Sequence, residues 1–367
     1  MKFALLTKNF SPGFCGIADH SISLVKALGL EGESVIIVAD RGYDLSIHVD
    51  VVVCDWSHQG LDALFKKMVS LDLDHLILQF TPLMYVAEKT RNAHELVQFW
   101  QRCSQRWVTS IIVHETYFRT WWHPKSWGNG MLEKRLLKTM VEYSHFAFSA
   151  SHPLVDEMRE WRMGTKVAIL PIGSSFSLVG VDKEKIRRDY GIAADEVVLV
   201  LFGGGNSLKW MKKHVYATDA LLHSKGIKAR WLMLGGITAS WFKLKQQVIL
   251  PGWLDERQIS IWLQASDIFL MPHYAGLCAK RGTLMAALQH ALPVVGTRSE
   301  MTDKFWDELD GVYLTRRHIV GEFAQQVLAL VLDNQLRADS GKANQEYFHN
   351  NCTWPIIAKT FLVGVHK

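Results

Sequence analysis

The sequence predicts two α/β domains, each a parallel sheet wrapped by helices. Three observations predict it. The 367 residues exceed what one ordinary core accommodates and suit two domains of typical size. Short β-branched apolar runs alternate with longer amphipathic stretches, the pattern of strand–helix–strand units. That alternation pauses once, at residues 171–196, where Pro, Gly and Ser surround a single short charged helix at 183–190, and then resumes.

In the first half, strands are predicted at residues 3–7, 35–38, 49–53, 76–79, 110–113, 146–149 and 167–170. Helices fall at 18–28 and 94–106, and a third runs from an N-cap at Ser151 through Trp161. In the second half the run at 197–202 is almost purely apolar, as a strand covered on both faces should be. Further strands follow at 231–234, 248–250, 268–271 and 293–296, with helices at 210–224, 255–265, 282–291 and 321–332. The division is therefore 1–170 and 171–349, with a last helix at 354–365 returning residues 350–367 to the first domain. Open parallel sheets bind ligands beyond the carboxyl ends of their strands, so the loops after these strands are where chemistry is expected.

Hydrophobic residues make up 49% of the chain and charged residues 21%, an ordinary globular balance. No apolar run approaches the ~18 residues that cross a bilayer. The opening apolar segment is interrupted at Lys8 and Asn9, too early for a signal peptide. Five scattered cysteines without a C-x-x-C pair exclude the usual zinc and dithiol motifs and point to a cytoplasmic protein with free thiols. The net charge of +5 is unevenly placed. Through Thr165 there are 17 Lys+Arg against 18 Asp+Glu, and from Lys166 onward 24 against 18. The second half thus carries the whole excess, which favours a phosphate-bearing ligand there, although charge alone reads better as solvated surface lysines. Nucleic acid is not expected, because no basic run is interleaved with aromatics.

Four loops carry the candidate chemistry. Between the first strand and first helix, Gly13 and Gly16 allow a tight turn, and Gly16 opens a helix whose N–H groups suit an anion; a plain turn reads as well. His114 and Glu115 end the strand at 110–113, which places an imidazole in the crevice, although one histidine among 16 is weak evidence. Gly203, Gly204 and Gly205 follow the most apolar strand and expose successive N–H groups, with Lys209 within reach of a phosphate; a flexible turn reads as well. Finally, Lys280, Arg281, Gly282 and Thr283 bring cations and free backbone donors to one helix start, a combination that suits a diphosphate. Asp72 and Asp74 form a D-x-D, but they precede a strand, at the edge opposite the expected site, and read as a solvated turn.

Phe10-Ser11-Pro12 with Gly16-Ile17-Ala18-Asp19-His20, Val113-His114-Glu115, Leu170-Pro171-Ile172-Gly173, Leu250-Pro251-Gly252-Trp253-Leu254, 265–272 and 291–297 together resemble the retaining GT-B glycosyltransferases (family 4-like, group 1). The resemblance runs nearly the whole chain and implies a GT-B fold, two Rossmann-like domains facing across a cleft. It also implies transfer of a sugar, with retention and without metal, from a nucleotide-sugar such as a UDP- or GDP-sugar to a glycan, lipid-linked or small-molecule acceptor. No cofactor is expected. The resemblance carries a donor-phosphate role onto Lys209, and the residues themselves add Gly203, Gly204, Gly205, Lys280, Arg281, Gly282 and Thr283 in the second domain, with Gly16 in the first, as expected donor contacts. His114 would hold the transferred sugar, with Glu115, Tyr117 and Trp121 towards the acceptor.

Two departures mark a divergent branch. Glycines stand where the family carries an arginine after the strand at 197–202, leaving Lys209, with Lys212 and Lys213 as substitutes. The family's pair of glutamates falls on Cys278 and Ala286. These losses make an inactive sugar-nucleotide binder of the same fold the alternative to the enzyme. An epimerase would need catalytic carboxylates that the sequence does not offer. Trp121, Trp122 and Trp127 among Arg119 and Lys125 point to a peripheral contact with the inner face of a membrane, or else to sugar stacking or core packing.

Overall fold

The computed structural model describes residues 1–8, 10–11, 15–41, 49–57, 60–86, 91–115, 124–161, 164–203, 205–236 and 242–366. The chain forms two compact units, Met1–Ile172 with Trp354–Lys367, and Gly173–Thr353. The first unit runs β1 (Lys2–Thr7), α1 (Gly16–Leu30), β2 (Ser34–Ala39), β3 (Val51–Val53), α2 (Leu61–Val69), β4 (His75–Phe80), α3 (Pro82–Val86), α4 (Arg91–Arg106), β5 (Val108–Val113), α5 (Pro124–Glu142), β6 (Phe146–Ser149), α6 (His152–Glu160) and β7 (Lys166–Ile169). The second runs α7 (Lys183–Asp189), β8 (Val197–Phe202), α8 (Gly205–Ser224), β9 (Ala229–Leu234), β10 (Gln247–Ile249), α9 (Glu256–Ala265) and β11 (Ile268–Met271). It continues with α10 (Gly282–Gln289), β12 (Val294–Arg298), a 3₁₀ turn (Lys304–Glu308), β13 (Val312–Arg316), α11 (Val320–Leu332) and α12 (Asn334–Asn351). The final helix, α13 (Trp354–His366), packs in the first unit against α1.

Both sheets are parallel. Their strand orders are β3-β2-β1-β4-β5-β6-β7 and β10-β9-β8-β11-β12-β13. Side chains alternate faces along a strand, so each sheet feeds two cores. In β4, Leu76, Leu78 and Phe80 pack with Leu64 and Met68 of α2 and Phe99 and Trp100 of α4. Ile77 turns the other way and joins Ile22 and Val25 of α1 and Ile357 and Phe361 of α13. In β8, Leu199 and Leu201 pack with Val215 and Leu222 of α8 and Phe323 and Val327 of α11, while Val198 and Val200 are buried on the opposite face.

Local sequence explains several boundaries. Asp255 and Gln258 close a reciprocal capping box on α9, and the Asp333 carboxylate accepts from Leu336 N–H at 2.8 Å to start α12. Asp72 lies in a turn with φ +50°, and the Asp74 carboxylate accepts the Lys2 N–H at 2.8 Å. The D-x-D is therefore a turn tying the amino ends of β1 and β4 together. Helix α8 starts at Gly205, five residues before the predicted 210, and its Val215 and Leu222 pack in one cluster with Phe323 and Val327 of α11. Strand β13 and helices α2, α3, α5 and α12 lie among the elements that the sequence reading does not name individually.

Candidate functional site

In each unit the chain starts at a central strand, moves to one side, then returns and continues on the other. The reversal falls between β1 and β4 in the first sheet and between β8 and β11 in the second. At such a point the two outgoing loops diverge and leave a crevice at the carboxyl edge.

In the first unit, Gly16 is the first residue of α1 and is exposed, with open space where a Cβ would stand. Cys15 occupies the N-cap without a side-chain bond, so the first amides of α1 have no side-chain cap there. His114 follows β5, and its N–H donates to Phe80 O at 3.0 Å, which continues the β4–β5 ladder by one residue. It therefore shares a face with Ile112, the α1 face, where Gln79 and His20 meet it. His114 Nε2 donates to Gln79 Oε1, and Gln79 Nε2 donates to His20 Nδ1 at 3.3 Å. The two imidazoles stand edge to face, 4.7 Å between centroids and 80° apart. Burial, and then the neighbouring His114, hold His20 well below the usual histidine range, so His20 is neutral. Glu115 is exposed. Tyr117, Trp121, Trp122 and Arg119 lie outside the described residues, as do the side chains of Lys125 and Trp127.

In the second unit, β8 and β11 are neighbours, so the loops that follow them leave the sheet side by side. Gly203 lies at the end of β8 against Gly235, which has φ +91° at the end of β9. A Cβ on Gly235 would stand 2.5 Å from Gly203 O. Gly204 lies outside the described residues; Gly205 opens α8, and Lys209 falls within that helix, its side chain undescribed. Lys212 carries its ammonium 6.0 Å from the Phe242 ring, and Lys213 is exposed.

The loop from Pro272 to Arg281 is pinned to the end of β12. Thr297 Oγ1 donates to His273 O at 2.5 Å, Ser299 Oγ to Ala275 O at 2.6 Å, and Leu277 N–H to Thr297 O at 2.8 Å. The loop delivers Arg281 to the N-cap of α10, with Lys280, Gly282 and Thr283 partly exposed beside it. Arg281 Nη2 donates to His273 Nδ1 at 2.9 Å, and Ala275 N–H donates to the same nitrogen at 3.1 Å. Burial, with Arg281 and Lys280 adding to it, lowers His273 to about 3. His273 is thus a neutral acceptor that orients a guanidinium at a helix start, where backbone donors and the helix dipole also favour an anion. Cys278 and Ala286 are both buried core positions.

Motif reading misses Gln79, and it gives no role to His20 or His273, which lie in stretches it singles out. Each acquires its place only by folding: no sequence spacing announces that Gln79 lies between two imidazoles, or that His273 faces Arg281. Among the described residues no three His, Cys, Asp or Glu side chains gather as a metal site. A cavity of about 440 Å³ lies at the opposite, amino edge of the second sheet. Its charges are already engaged: Lys183 pairs with Asp267 at 2.9 Å, and Arg337 Nη1 bonds Leu330 O and Val331 O.

Two parallel α/β units with these switch points constitute the GT-B fold of glycosyltransferases. Residues 193–333, within the second unit, match the family of glycosyl transferases group 1. Sucrose-phosphate synthase of Thermosynechococcus elongatus superposes over 100% of this chain and 98% of its own, with TM-score 0.74 at 12% identity. HepE of Anabaena, in complex with UDP, superposes over 100% of both chains with TM-score 0.73 at 14% identity. A glycosyltransferase of Rickettsia africae covers 99% of this chain and 97% of its own, with TM-score 0.69 at 12% identity. At these identities the likeness is one of fold. No curated protein sequence matches the chain. No helix among the described residues is long and apolar enough to cross a membrane.

Proposed function

We propose that this protein is a retaining glycosyltransferase that moves a sugar from a nucleotide-sugar, such as a UDP- or GDP-sugar, to a glycan, lipid-linked or small-molecule acceptor at the cytoplasmic side. The observation that carries the reading is the Arg281–His273 pair at the start of α10, at the switch point of the unit whose residues 193–333 match glycosyl transferases group 1. UDP bound to HepE supports a nucleoside diphosphate as the ligand. Gly203–Gly205, Lys209, Lys280, Arg281, Gly282 and Thr283 take the diphosphate, and Gly16 supplies backbone donors from the first unit. His114 contacts the transferred sugar, while Glu115, Tyr117 and Trp121 lie towards the acceptor.

The reaction breaks the bond between the anomeric carbon and the diphosphate oxygen and forms one to the acceptor oxygen on the same face. The acceptor proton passes to the departing phosphate oxygen. Negative charge grows on the leaving group, where fixed cations and backbone donors stabilise it without reorganisation. That cation set is why turnover is expected to survive chelation. A thermal-shift panel of nucleoside diphosphates and their sugars tests the reading, since a ligand at a hundred times its Kd stabilises by about 2.7 kcal/mol. Stabilisation by a diphosphate, with an axial or equatorial product anomer matching that of the donor by NMR, is expected. No stabilisation by any diphosphate sinks it. Stabilisation without transfer across donors and acceptors favours the second reading, an inactive binder, which rests on the burial of Cys278 and Ala286 where the resemblance implies carboxylates.

A further inference from the structure

We infer that Gln79 is a positioning residue that holds His114 in one tautomer and one ring orientation through its side-chain amide, with His20 as the amide's second anchor. The inference rests on the reading of His114 as the residue that meets the sugar. Gln79 is fully buried on β4, one strand over from His114, and it belongs to none of the loops where ligands are expected. A buried primary amide in a sheet core loses stability unless its polar atoms are matched, and here both ends of the amide are used on histidines.

The direction of these bonds fixes the protons. Gln79 Oε1 has no hydrogen, so His114 Nε2 must carry one to donate to it. Gln79 Nε2 donates, so His20 Nδ1 must present a lone pair and carry its own hydrogen on Nε2. One amide orientation therefore sets both rings. A neutral His114 then has its lone pair on Nδ1. If protonated, it becomes a donor at both nitrogens.

His20 completes the arrangement. It sits in α1 at 6% exposure, between His114 and the edge-to-face ring of Trp354 at 5.2 Å. Because it stays neutral, no second positive charge stands against His114. Its Nε2 is buried with no hydrogen-bond partner among the described residues. The one hydrogen bond this ring makes among the described residues is that of Nδ1 to Gln79. The restraint on His114 thus comes from both the sheet and the helix that opens at Gly16.

The test reads the proton directly. Protein labelled with ¹⁵N-histidine is assigned by subtraction with His114→Ala and His20→Ala, and ¹H–¹⁵N correlations are recorded on wild type and Gln79→Met. An imidazole N–H open to water exchanges too fast to give a direct peak, so the expected wild-type result is a visible His114 Nε2–H peak. His20 should also show Nε2 protonated, and Gln79→Met should lose the His114 peak. A His114 proton on Nδ1, no protected peak in wild type, or a peak that persists in Gln79→Met overturns the inference. Should Gln79→Met fail to fold, the wild-type spectrum decides alone. The kinetic arm uses UDP-glucose with an acceptor panel. Gln79→Met should lower kcat roughly tenfold or more with KM nearly unchanged, since misplacing a reacting group by about 1 Å costs on the order of a hundredfold. Measurable transfer at equal turnover in wild type and Gln79→Met overturns the positioning role. A wild type with the protected Nε2–H but no transfer from any nucleotide-sugar sinks the glycosyltransferase reading instead, and leaves the tautomer lock in place.

Discussion

Replacing His273 by Leu removes the Nδ1 lone pair, which accepts from Arg281 Nη2 at 2.9 Å and from Ala275 N–H at 3.1 Å. A hydrogen bond to a charged group contributes about 1.5–3 kcal/mol, and only part of that reaches the ligand, because a released guanidinium still bears its charge. An expected loss of about 1.4 kcal/mol in UDP binding is a tenfold rise in Kd. His273→Asn should restore most of it, since an amide oxygen on a short side chain can take the place of Nδ1. The assay is calorimetric titration of UDP into wild type, His273→Leu, His273→Asn, Arg281→Ala and the His273→Leu/Arg281→Ala double variant, each with its thermal melt. If His273 acts through Arg281, the double variant should bind no worse than Arg281→Ala alone. Binding within twofold of wild type in a well-folded His273→Leu, or additive losses in the double variant, would refute the reasoning.

Further outcomes follow from particular contacts. Gly235→Ala puts a Cβ 2.5 Å from Gly203 O at a backbone angle of φ +91°. A left-handed non-glycine residue alone costs about 1–2 kcal/mol, so chemical denaturation should show at least that loss, and stabilisation by UDP should shrink with it. Gly16→Ala meets open space at the start of α1 and gains up to ~1 kcal/mol of helix propensity. An unchanged or raised melting temperature with lost turnover would assign Gly16 to ligand approach, whereas full activity would leave it a plain turn. His75 is lowered to about 3 by burial first and by nearby His145 and His366, and it bonds Ser110 Oγ at 2.7 Å. Its folded value lies below the unfolded 6.5, so its stability contribution is complete above pH 6.5 and is lost as pH falls towards 3. His75→Phe should therefore flatten stability against pH in that window. It should also lower stability at neutral pH by about 1–3 kcal/mol through the orphaned Ser110 hydroxyl. An unchanged acid slope in urea melts would remove His75 as a cause.

The fold class was legible in the sequence, because a parallel strand buried on both faces needs an uninterrupted apolar run, and 197–202 and 268–271 are such runs set between helical stretches. The sequence also marked which loops to watch, through glycines and cations placed directly after those runs. Lys280, Arg281 and Gly282 were legible at a helix start because a strand, a short loop and a helix lie in sequence there. The pairs that organise each crevice were decided only by tertiary structure. Gln79 reaches His114 because β4 and β5 are neighbours in register, and reaches His20 because α1 returns over that same face. Arg281 meets His273 because hydrogen bonds from Thr297 and Ser299 of a later segment fold the intervening loop back. Such contacts join segments far apart in the chain, and no local period encodes them. Strand order sets them, and strand order is settled only when the whole sheet closes its two cores.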